Sequence, residues 1–216
     1  SGNSASMTLN GGGVSFYGSW IAANCIFLDN SAQLGGISFG SDWNVVNCSF
    51  SGNLGIESAV AYTGIWKIFN NIFHSNDSDS YQFRSSSIYA TTTTTPNSAS
   101  KYSNNLIRGG ISSFKDCTYA FPEAHIIDAD PLFVNINDPD GPDDIWGTAD
   151  DGLRLQASSP AVGVGDTSFL PKDSQDLDGD GDTEELIPVD LAGFQRVKGT
   201  SVDLGAYEFG SFKLNL

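Results

Sequence analysis

The sequence has few basic residues: its 216 residues include 10 Lys and Arg against 26 Asp and Glu, a formal charge of −16. Phosphate backbones are bound by clustered Lys and Arg, so we expect no nucleic-acid partner. No apolar run reaches the length of about 18 residues that a membrane-spanning helix needs, so we expect no direct membrane span. Charged residues make up only 17%, whereas Gly (24) is abundant, which is typical of strands and turns rather than long helices.

Cysteine and histidine are also scarce, with three and two residues respectively. The odd number of cysteines excludes complete internal pairing, and the lack of a C-x-x-C motif argues against a zinc site. His74 and His125 have no partners at triad spacing, and His74, next to a predicted turn, is expected to be exposed. The basic residues of the first half are likewise isolated, so no catalytic residue is assigned.

A repeat of 23 residues dominates the first half of the chain. Trp20, Trp43 and Trp66 are spaced by this interval without any insertion. Three further sets keep the same register: Asn24, Asn47 and Asn70; Phe27, Phe50 and Phe73; and Asn30, Asn53 and Asn76. A constant period of this length indicates a repeat architecture in which each unit stacks on the next.

The units consist of short apolar runs bounded by Gly and Asn, which read as β-strands. Leucine-rich repeats share the unit length, but residues 1–80 contain too few leucines for them. We therefore predict an all-β fold, a right-handed parallel β-helix with about 23 residues per coil, over residues 1–127. Asn104 lies 34 residues after Asn70, which predicts an excursion from one coil at about 77–103.

Stacking of coils would place equivalent side chains in columns. Phe27, Phe50 and Phe73 are expected to stack in the interior, and Asn30, Asn53 and Asn76 to form a hydrogen-bonded ladder at a turn where Asn tolerates unusual backbone angles. Cys25 and Cys48 would also be neighbours. They would approach disulfide distance, although free buried thiols are favoured. Asn71 falls in the same column, so that coil either buries an amide or shifts its face.

The tryptophan column allows two interpretations. If Trp20, Trp43 and Trp66 face outward, they form an aromatic ridge that would bind the apolar faces of sugar rings. If they face inward or are covered, they contribute to the core, which is the favoured interpretation because large aromatic side chains dominate core energetics.

The first residues resemble the interior of a coil, since Asn3-Ser4-Ala5 matches Asn30-Ser31-Ala32. Solenoids need capped ends. We therefore expect the chain to be part of a longer solenoid.

Negative charge concentrates in residues 128–190, which hold 15 Asp and 2 Glu against Arg154 and Lys172. Crowded carboxylates in glycine-containing loops favour Ca²⁺, which takes six to eight oxygen ligands. Asp176, Asp178 and Asp180 followed by Gly181 match the first half of an EF-hand loop, but the twelfth position is Ile187 rather than Glu. The alternative is a solvated acidic loop. The candidate calcium ligands are Asp176, Asp178, Asp180, Asp182 and Glu184 in this run, and Asp138, Asp140, Asp143, Asp144, Asp150 and Asp151 in an earlier run.

Residues 128–216 are predicted to be an irregular acidic cap that continues the solenoid and covers its open end, which would prevent edge-to-edge association. Segment 202–209 is expected to be a strand with small residues where another backbone comes close.

These motifs carry a family resemblance. Gly35-Gly36-Ile37-Ser38-Phe39 and the segment 47–53 resemble repeats of the pectate-lyase-like β-helix superfamily, and most closely those of bacterial polymorphic outer-membrane proteins. Segments 130–134, 146–153, 159–161 and 202–208 resemble the C-terminal regions of large bacterial secreted and surface proteins. The resemblance implies the architecture much more strongly than an activity, because this fold hosts enzymes, adhesins and passenger domains.

We therefore expect a non-enzymatic extracellular segment of a larger bacterial surface protein, acting in adhesion or display with calcium-stabilised loops. Its expected partners are a polysaccharide or another surface or secretion-system protein. Two alternatives remain open: the C-terminal part of a polysaccharide lyase or hydrolase, and a carbohydrate-binding module.

Overall fold

The computed structural model describes residues 4–5, 14–16, 18–32, 35–39, 42–53, 57–61, 65–74, 83–85, 101–110, 114–115 and 125–210. These residues form short β-strands and one 3-10 turn, Thr167–Phe169, and they include no α-helix. Nothing in this described part is a helix of the length and apolarity that crossing a membrane requires. The protein is therefore of the all-β class, as its strand-forming and turn-forming composition predicts.

Three parallel sheets account for most of the strands. The first sheet contains β3 (Trp20–Ala23), β7 (Trp43–Val46), β10 (Trp66–Phe69) and β13 (Lys101–Ser103). The second sheet contains β4 (Ile26–Leu28), β8 (Ser49–Ser51), β11 (Ile72–His74), β14 (Asn105–Ile107) and β16 (Ile126–Ile127). The third sheet contains β2 (Val14–Phe16), β6 (Gly35–Phe39), β9 (Glu57–Ala61), β12 (Phe83–Ser85) and β15 (Phe114–Lys115).

Two smaller pairings complete the strand list. Strand β1 (Ser4–Ala5) pairs in parallel with β5 (Ser31–Ala32), whereas β17 (Gly165–Asp166) pairs antiparallel with β18 (Ser201–Val202). Strand β18 ends at Val202, so most of the predicted strand over 202–209 consists of bends and turns instead.

From β3 to β10 and from β4 to β11, neighbouring strands pair in the register that the repeat predicts, whereas β6 and β9 of the third sheet pair at an offset of 22 residues. Trp43 is the pairing partner of both Trp20 and Trp66, and Phe50 of both Phe27 and Phe73. The next strand shifts to an offset of 34 residues, because Lys67 pairs with Lys101. The predicted tryptophan column therefore exists at the level of the backbone, and the inserted residues leave the strand pairing intact.

A left-handed residue connects each strand of the first sheet to the next strand in the chain. Asn24, Asn47, Asn70 and Asn104 have φ values of 55°, 51°, 56° and 53°. Asn adopts this conformation at lower cost than most residues, which explains why the position repeats as Asn. Unusual backbone angles were expected instead at the Asn30 column. They occur one residue earlier at that turn, at Asp29 and Gly52.

The interior is lined by alternate residues of the first and second sheets, as strand geometry requires. The rings of Phe27 and Phe50 stack with centroids 4.7 Å apart, and those of Phe50 and Phe73 with centroids 4.6 Å apart. Val45 and Ile68 pack in the same buried cluster. This confirms the predicted interior aromatic stack.

Buried amides run beside this stack. Asn30 Nδ2 donates to Asn53 Oδ1 at 2.9 Å, as predicted for that ladder, while Asn76 lies outside the described residues. Asn71 is fully buried, and its Oδ1 accepts the backbone N–H of Cys48. The chain therefore buries the amide of Asn71 and keeps its face in the same register. The amides of Asn53 and Asn71 thus supply hydrogen-bond partners to buried backbone groups of the neighbouring strands and turns.

Cys25 and Cys48 are free thiols, as favoured from the sequence. Burial raises the pKa of Cys48, whereas a hydrogen bond from Cys48 lowers the pKa of Cys25. Cys117 lies outside the described residues.

The segment from Phe133 to Phe209 packs on the outer faces of the first and second sheets. Val46 and Phe69, on the outer face of the first sheet, form a cluster with Leu170, Ile187 and Val202. Outer residues of the second sheet form a larger cluster with the segment, containing Ile72, Leu106, Phe133, Leu153, Leu155, Ala161, Ala192, Leu204, Ala206 and Tyr207. The segment therefore lies along the stacked strands, and its role as an end cap stays a prediction.

Gly205 shows how closely the segment approaches the second sheet. An added Cβ atom would lie 2.7 Å from Ser49 Oγ and 2.8 Å from Ile72 Cδ1. The residue also has a φ of 85°, and its N–H donates to the carbonyl of Asn70 at 2.8 Å. Only glycine meets both demands, in agreement with the predicted close backbone approach.

Candidate metal centre

The second acidic run forms a loop whose two ends are hydrogen-bonded together. The N–H of Asp173 donates to the carbonyl of Glu185 at 2.8 Å, and the N–H of Ile187 donates to that of Pro171 at 3.1 Å. Leu170 and Ile187, just outside these contacts, are buried on the outer face of the first sheet. The loop over residues 173–185, called here the acidic loop, is therefore closed at its base and anchored to the sheets.

Within the acidic loop, side-chain oxygens accept hydrogen bonds from backbone groups a few residues ahead. Asp180 Oδ1 accepts from Asp182 N at 2.7 Å, and Asp176 Oδ1 accepts from Gly181 N at 3.1 Å. Positive φ values at Asp176, Gly179 and Gly181 tighten the curve. These turns bend the chain back so that carboxylates on alternate residues converge.

The convergence produces two groups of three carboxylates. One consists of Asp176, Asp178 and Asp180, and the other of Asp173, Asp178 and Glu185. In each group one oxygen per residue lies within 4.8 Å of the others. Such all-oxygen sets suit a hard divalent cation, and Ca–O distances of about 2.3–2.6 Å would fit between oxygens at this separation.

Asp173 has the feature that most clearly points to a ligand. The residue is 1% exposed, and its Oδ2 accepts from Leu177 N at 2.6 Å. Its Oδ1 has no hydrogen-bond partner in the described part of the chain, and the same holds for the buried Oε1 of Glu185. Buried carboxylate oxygens are costly without a donor or a cation.

The electrostatics of Glu185 agree with this arrangement. Its pKa is raised by desolvation and then by the negative charges of Asp178, Asp180, Asp182 and Asp173. A cation among these carboxylates would remove the repulsion.

Two predicted ligands of this run lie outside the converged groups. Asp182 Oδ1 accepts from Glu184 N, and the exposed Glu184 side chain pairs with Lys172. Asp173 was missed because it precedes the alternating pattern by three residues, and Glu185 because it falls on the opposite parity. The only feature of the sequence that could have indicated these two residues is their position beside the alternating carboxylates.

The first acidic run is arranged differently. Within residues 125–210, its candidate ligands Asp138, Asp140, Asp143, Asp144, Asp150 and Asp151 form no converged group of three. Asp151 is 1% exposed and accepts hydrogen bonds from Gly147 N and from the Tyr207 hydroxyl. Asp150 accepts from Thr148 Oγ1 at 2.6 Å. These hydrogen bonds stabilise the turns of the first acidic run.

The tryptophan candidates share one column of strand positions in the first sheet. Trp20 is partly buried and packs against the interior cluster, while Ile21 points outward and is 60% exposed. The side chains of Trp43 and Trp66 lie outside the described parts of the chain, so their ligand-binding role stays a prediction.

A groove of about 470 Å³ lies on the outer face of the first sheet, beside the base of the acidic loop. Ile21, Asn44 and Lys67 form its floor, and Phe169 and Lys172 are among the residues of its opposite wall. The Phe169 ring stacks on Phe69 with centroids 3.9 Å apart. Asn44 Oδ1 is buried there and has no hydrogen-bond partner among the described residues.

His74 is 6% exposed, so the expectation of an exposed histidine was wrong. Its ring meets Phe133 edge-on, and its Nε2 lies 3.1 Å from Arg108 Nη1. Burial is the main cause of its lowered pKa. The packing of the C-terminal segment over the second sheet covers a position that repeat spacing alone leaves at the surface.

Comparison with known proteins returned no matching family model, curated protein or solved structure.

Proposed function

We propose that the chain is a segment of a right-handed parallel β-helix of the pectate-lyase-like type that serves in adhesion or display at a bacterial cell surface. Ca²⁺ bound in the acidic loop would stabilise it. The observation that carries the proposal is the acidic loop: its carboxylates converge in two groups, the buried Asp173 has an oxygen with no hydrogen-bond partner among the described residues, and the loop base packs against the first sheet.

The architecture is supported by the pairing register. Parallel strands pair at an offset of 23 residues along the first two sheets as far as β10 and β11, and at 22 to 24 residues from β2 to β12 in the third sheet, which is what a winding chain with nearly equal coils would produce. The pectate-lyase-like resemblance of segments 35–39 and 47–53 supports the same assignment.

An extracellular location is supported by the metal chemistry. Calcium sites in extracellular modules have dissociation constants of about 0.1–1 mM, which suits exposed loops in a calcium-rich medium.

Thermal unfolding with Ca²⁺, with Mg²⁺ and with EDTA tests the calcium part. At about 10 mM Ca²⁺, a site of the extracellular class contributes about 1.4–2.7 kcal/mol, which corresponds to a rise in Tm of about 3–10 °C for a chain of this size. Mg²⁺ is expected to give a smaller rise because it requires a tighter octahedral shell. An unchanged Tm in all three buffers, together with no retained ion after dialysis, would contradict calcium binding.

The enzymatic alternative predicts turnover. Incubation of the protein with acidic polysaccharides, followed by measurement of new reducing ends and of unsaturated products, separates a hydrolase or a lyase from a display segment. Product formation that follows the protein through purification would overturn the non-enzymatic proposal.

Carbohydrate binding is a second candidate, and the groove beside the acidic loop favours it. The Oδ1 of Asn44 is a buried acceptor that no described residue donates to, the outward-facing Ile21 offers apolar surface, and Lys67 adds a positive charge. This combination suits an acidic sugar, whose hydroxyl groups donate and whose carboxylate pairs with lysine.

A glycan array probed with the wild-type protein and with Lys67→Gln tests this candidate. Lys101→Gln is the matched control, because Lys101 is exposed and pairs with Lys67 in the next strand but does not line the groove. Binding of uronic-acid glycans that is lost only in Lys67→Gln would support the groove. Equal binding by both variants would contradict it, and a parallel Trp43→Ala variant would test the tryptophan column.

A further inference from the structure

We infer that the acidic loop holds two cations that share Asp178, rather than the single ion of an EF-hand-like loop; this inference rests on the calcium binding proposed above. The outer position is formed by Asp176, Asp178 and Asp180, and the inner position by Asp173, Asp178 and Glu185.

The geometry of the two groups leads to this inference. Asp178 belongs to both, and a carboxylate has two oxygens, so it is able to bridge two metal ions. The other ligands come from different parts of the loop. Asp176 and Asp180 lie in the curved tip, whereas Asp173 and Glu185 lie at the base, where the N–H of Asp173 donates to the carbonyl of Glu185.

An independent observation marks the inner position. Asp173 is 1% exposed, and its Oδ1 has no hydrogen-bond partner within the described residues. Glu185 Oε1 is buried beside it with the same deficit. An ion bound only at the EF-hand-like outer group would leave these two oxygens unsatisfied, so the inner group calls for an ion of its own.

Charge balance agrees with two ions. Five carboxylates belong to the two groups, and Asp178 is counted once. One divalent ion would leave three uncompensated negative charges in a small volume, whereas two ions would leave one. Repulsion between carboxylates a few ångströms apart is strong in a partly buried site, so a second ion is favoured.

The two positions should differ in strength and should be coupled. The inner ligands are held by the closed base of the acidic loop, next to the buried Leu170 and Ile187, so that position requires less ordering on binding. The outer ligands lie on the exposed tip. Because Asp178 serves both, filling the inner position orients one outer ligand, and binding is expected to be positively cooperative.

The experiment is a count of bound Ca²⁺ per chain by equilibrium dialysis with elemental analysis, followed by calorimetric titration. The whole chain is used throughout. We expect two Ca²⁺ per chain for the wild type. Glu185→Gln and Asp180→Asn should each reduce the number to one, and Asp178→Asn should weaken both positions at least tenfold. Asp143→Asn is the matched control, because Asp143 is an exposed residue of the first acidic run that accepts from Ile145 N and belongs to neither group.

The outcomes separate this inference from the broader proposal. A folded wild-type chain that binds no Ca²⁺ removes calcium binding altogether. A wild-type chain that binds one ion overturns the two-ion inference and leaves calcium binding standing. Two ions in Glu185→Gln would overturn the inner assignment, and Asp173→Asn provides a second test of that position. Circular dichroism establishes that each variant is folded, and the wild-type count decides the two-ion inference by itself if a variant is not.

Discussion

Arg196 Nη2 donates to Asn24 Oδ1, although the two residues are separated by 172 positions in the sequence. Arg196 is completely buried and also donates to Glu208 Oε1 at 2.8 Å and to the carbonyls of Gly205 and Ala206. One guanidinium therefore joins the C-terminal segment to the first asparagine of the left-handed column. Since a buried charge requires a partner and hydrogen bonds, these contacts are strongly interdependent.

The Arg196–Glu208 ion pair gives the first prediction. At pH 9, above the Glu208 pKa of about 8, Glu208→Gln removes the charge that compensates the buried Arg196, and we expect a loss of about 3–5 kcal/mol in the free energy of unfolding. The double variant Arg196→Met/Glu208→Leu should recover part of that loss, because it removes both charges of the pair together. Urea denaturation of Arg196→Met, of Glu208→Leu and of the double variant measures the coupling. Additive losses would show that the two side chains act independently.

Stability should also depend on pH through Glu208. Burial, together with the charge of Asp203, raises its pKa to about 8, against the opposing effect of Arg196. The unfolded chain releases this proton near pH 4.5, so between these values the native state binds more protons and stability falls as pH rises. We expect a lower urea midpoint at pH 8.5 than at pH 5.5. The same comparison in Glu208→Gln should show a smaller difference, and an equal difference would assign the pH dependence to other groups.

The left-handed asparagines provide a third prediction. Asn47 is fully buried, has a φ of 51°, and donates to the carbonyl of Asp203 at 2.9 Å. Asn47→Ala loses the hydrogen bond and strains the backbone, so we expect a loss of about 2–4 kcal/mol. Asn47→Gly removes the same hydrogen bond without the backbone strain and should be about 1 kcal/mol more stable than Asn47→Ala. Equal unfolding midpoints for the two variants would show that the left-handed angle has no energetic weight here.

Gly205 should tolerate no side chain. Gly205→Ala places a Cβ atom 2.7 Å from Ser49 Oγ at a φ of 85°, so we expect a loss of about 2–4 kcal/mol from the clash and the strain. Gly199→Ala is the control, since Gly199 has a φ of 71° and nothing within 4 Å of the added atom. Thermal unfolding of the two variants isolates the contribution of the clash. A similar Tm for both would mean that the segment moves away from the second sheet at little cost.

The repeat made the strand register predictable, because spacing places Trp20 on Trp43 and Phe27 on Phe50 before any coordinates are known. The repeat also predicts the column of asparagines, but it does not predict their hydrogen-bond partners. The bonding partners of Asn24 and Asn47 are backbone carbonyls in a segment without periodicity, and no side-chain pattern encodes such contacts.

The acidic loop was foreseen only in part for a related reason. Alternation identified Asp176, Asp178 and Asp180, which the local turns bring together. Asp173 and Glu185 join them through the closure of the loop base, which depends on packing against the first sheet. His74 was misplaced because its burial comes from Phe133, a residue distant in the sequence.

The asparagine column has one further consequence. Asn24, Asn47, Asn70 and Asn104, which follow the four successive strands of the first sheet, donate to the carbonyls of Val189, Asp203, Asp166 and Val164 respectively. The contacts of the C-terminal segment therefore fit a fixed number of strands in the first sheet. Duplication or deletion of a 23-residue unit between Asn24 and Asn104 would separate these hydrogen-bonding partners. Additional units before Asn24 would leave them in place. Variation in repeat number should therefore be tolerated before Asn24 and not between Asn24 and Asn104.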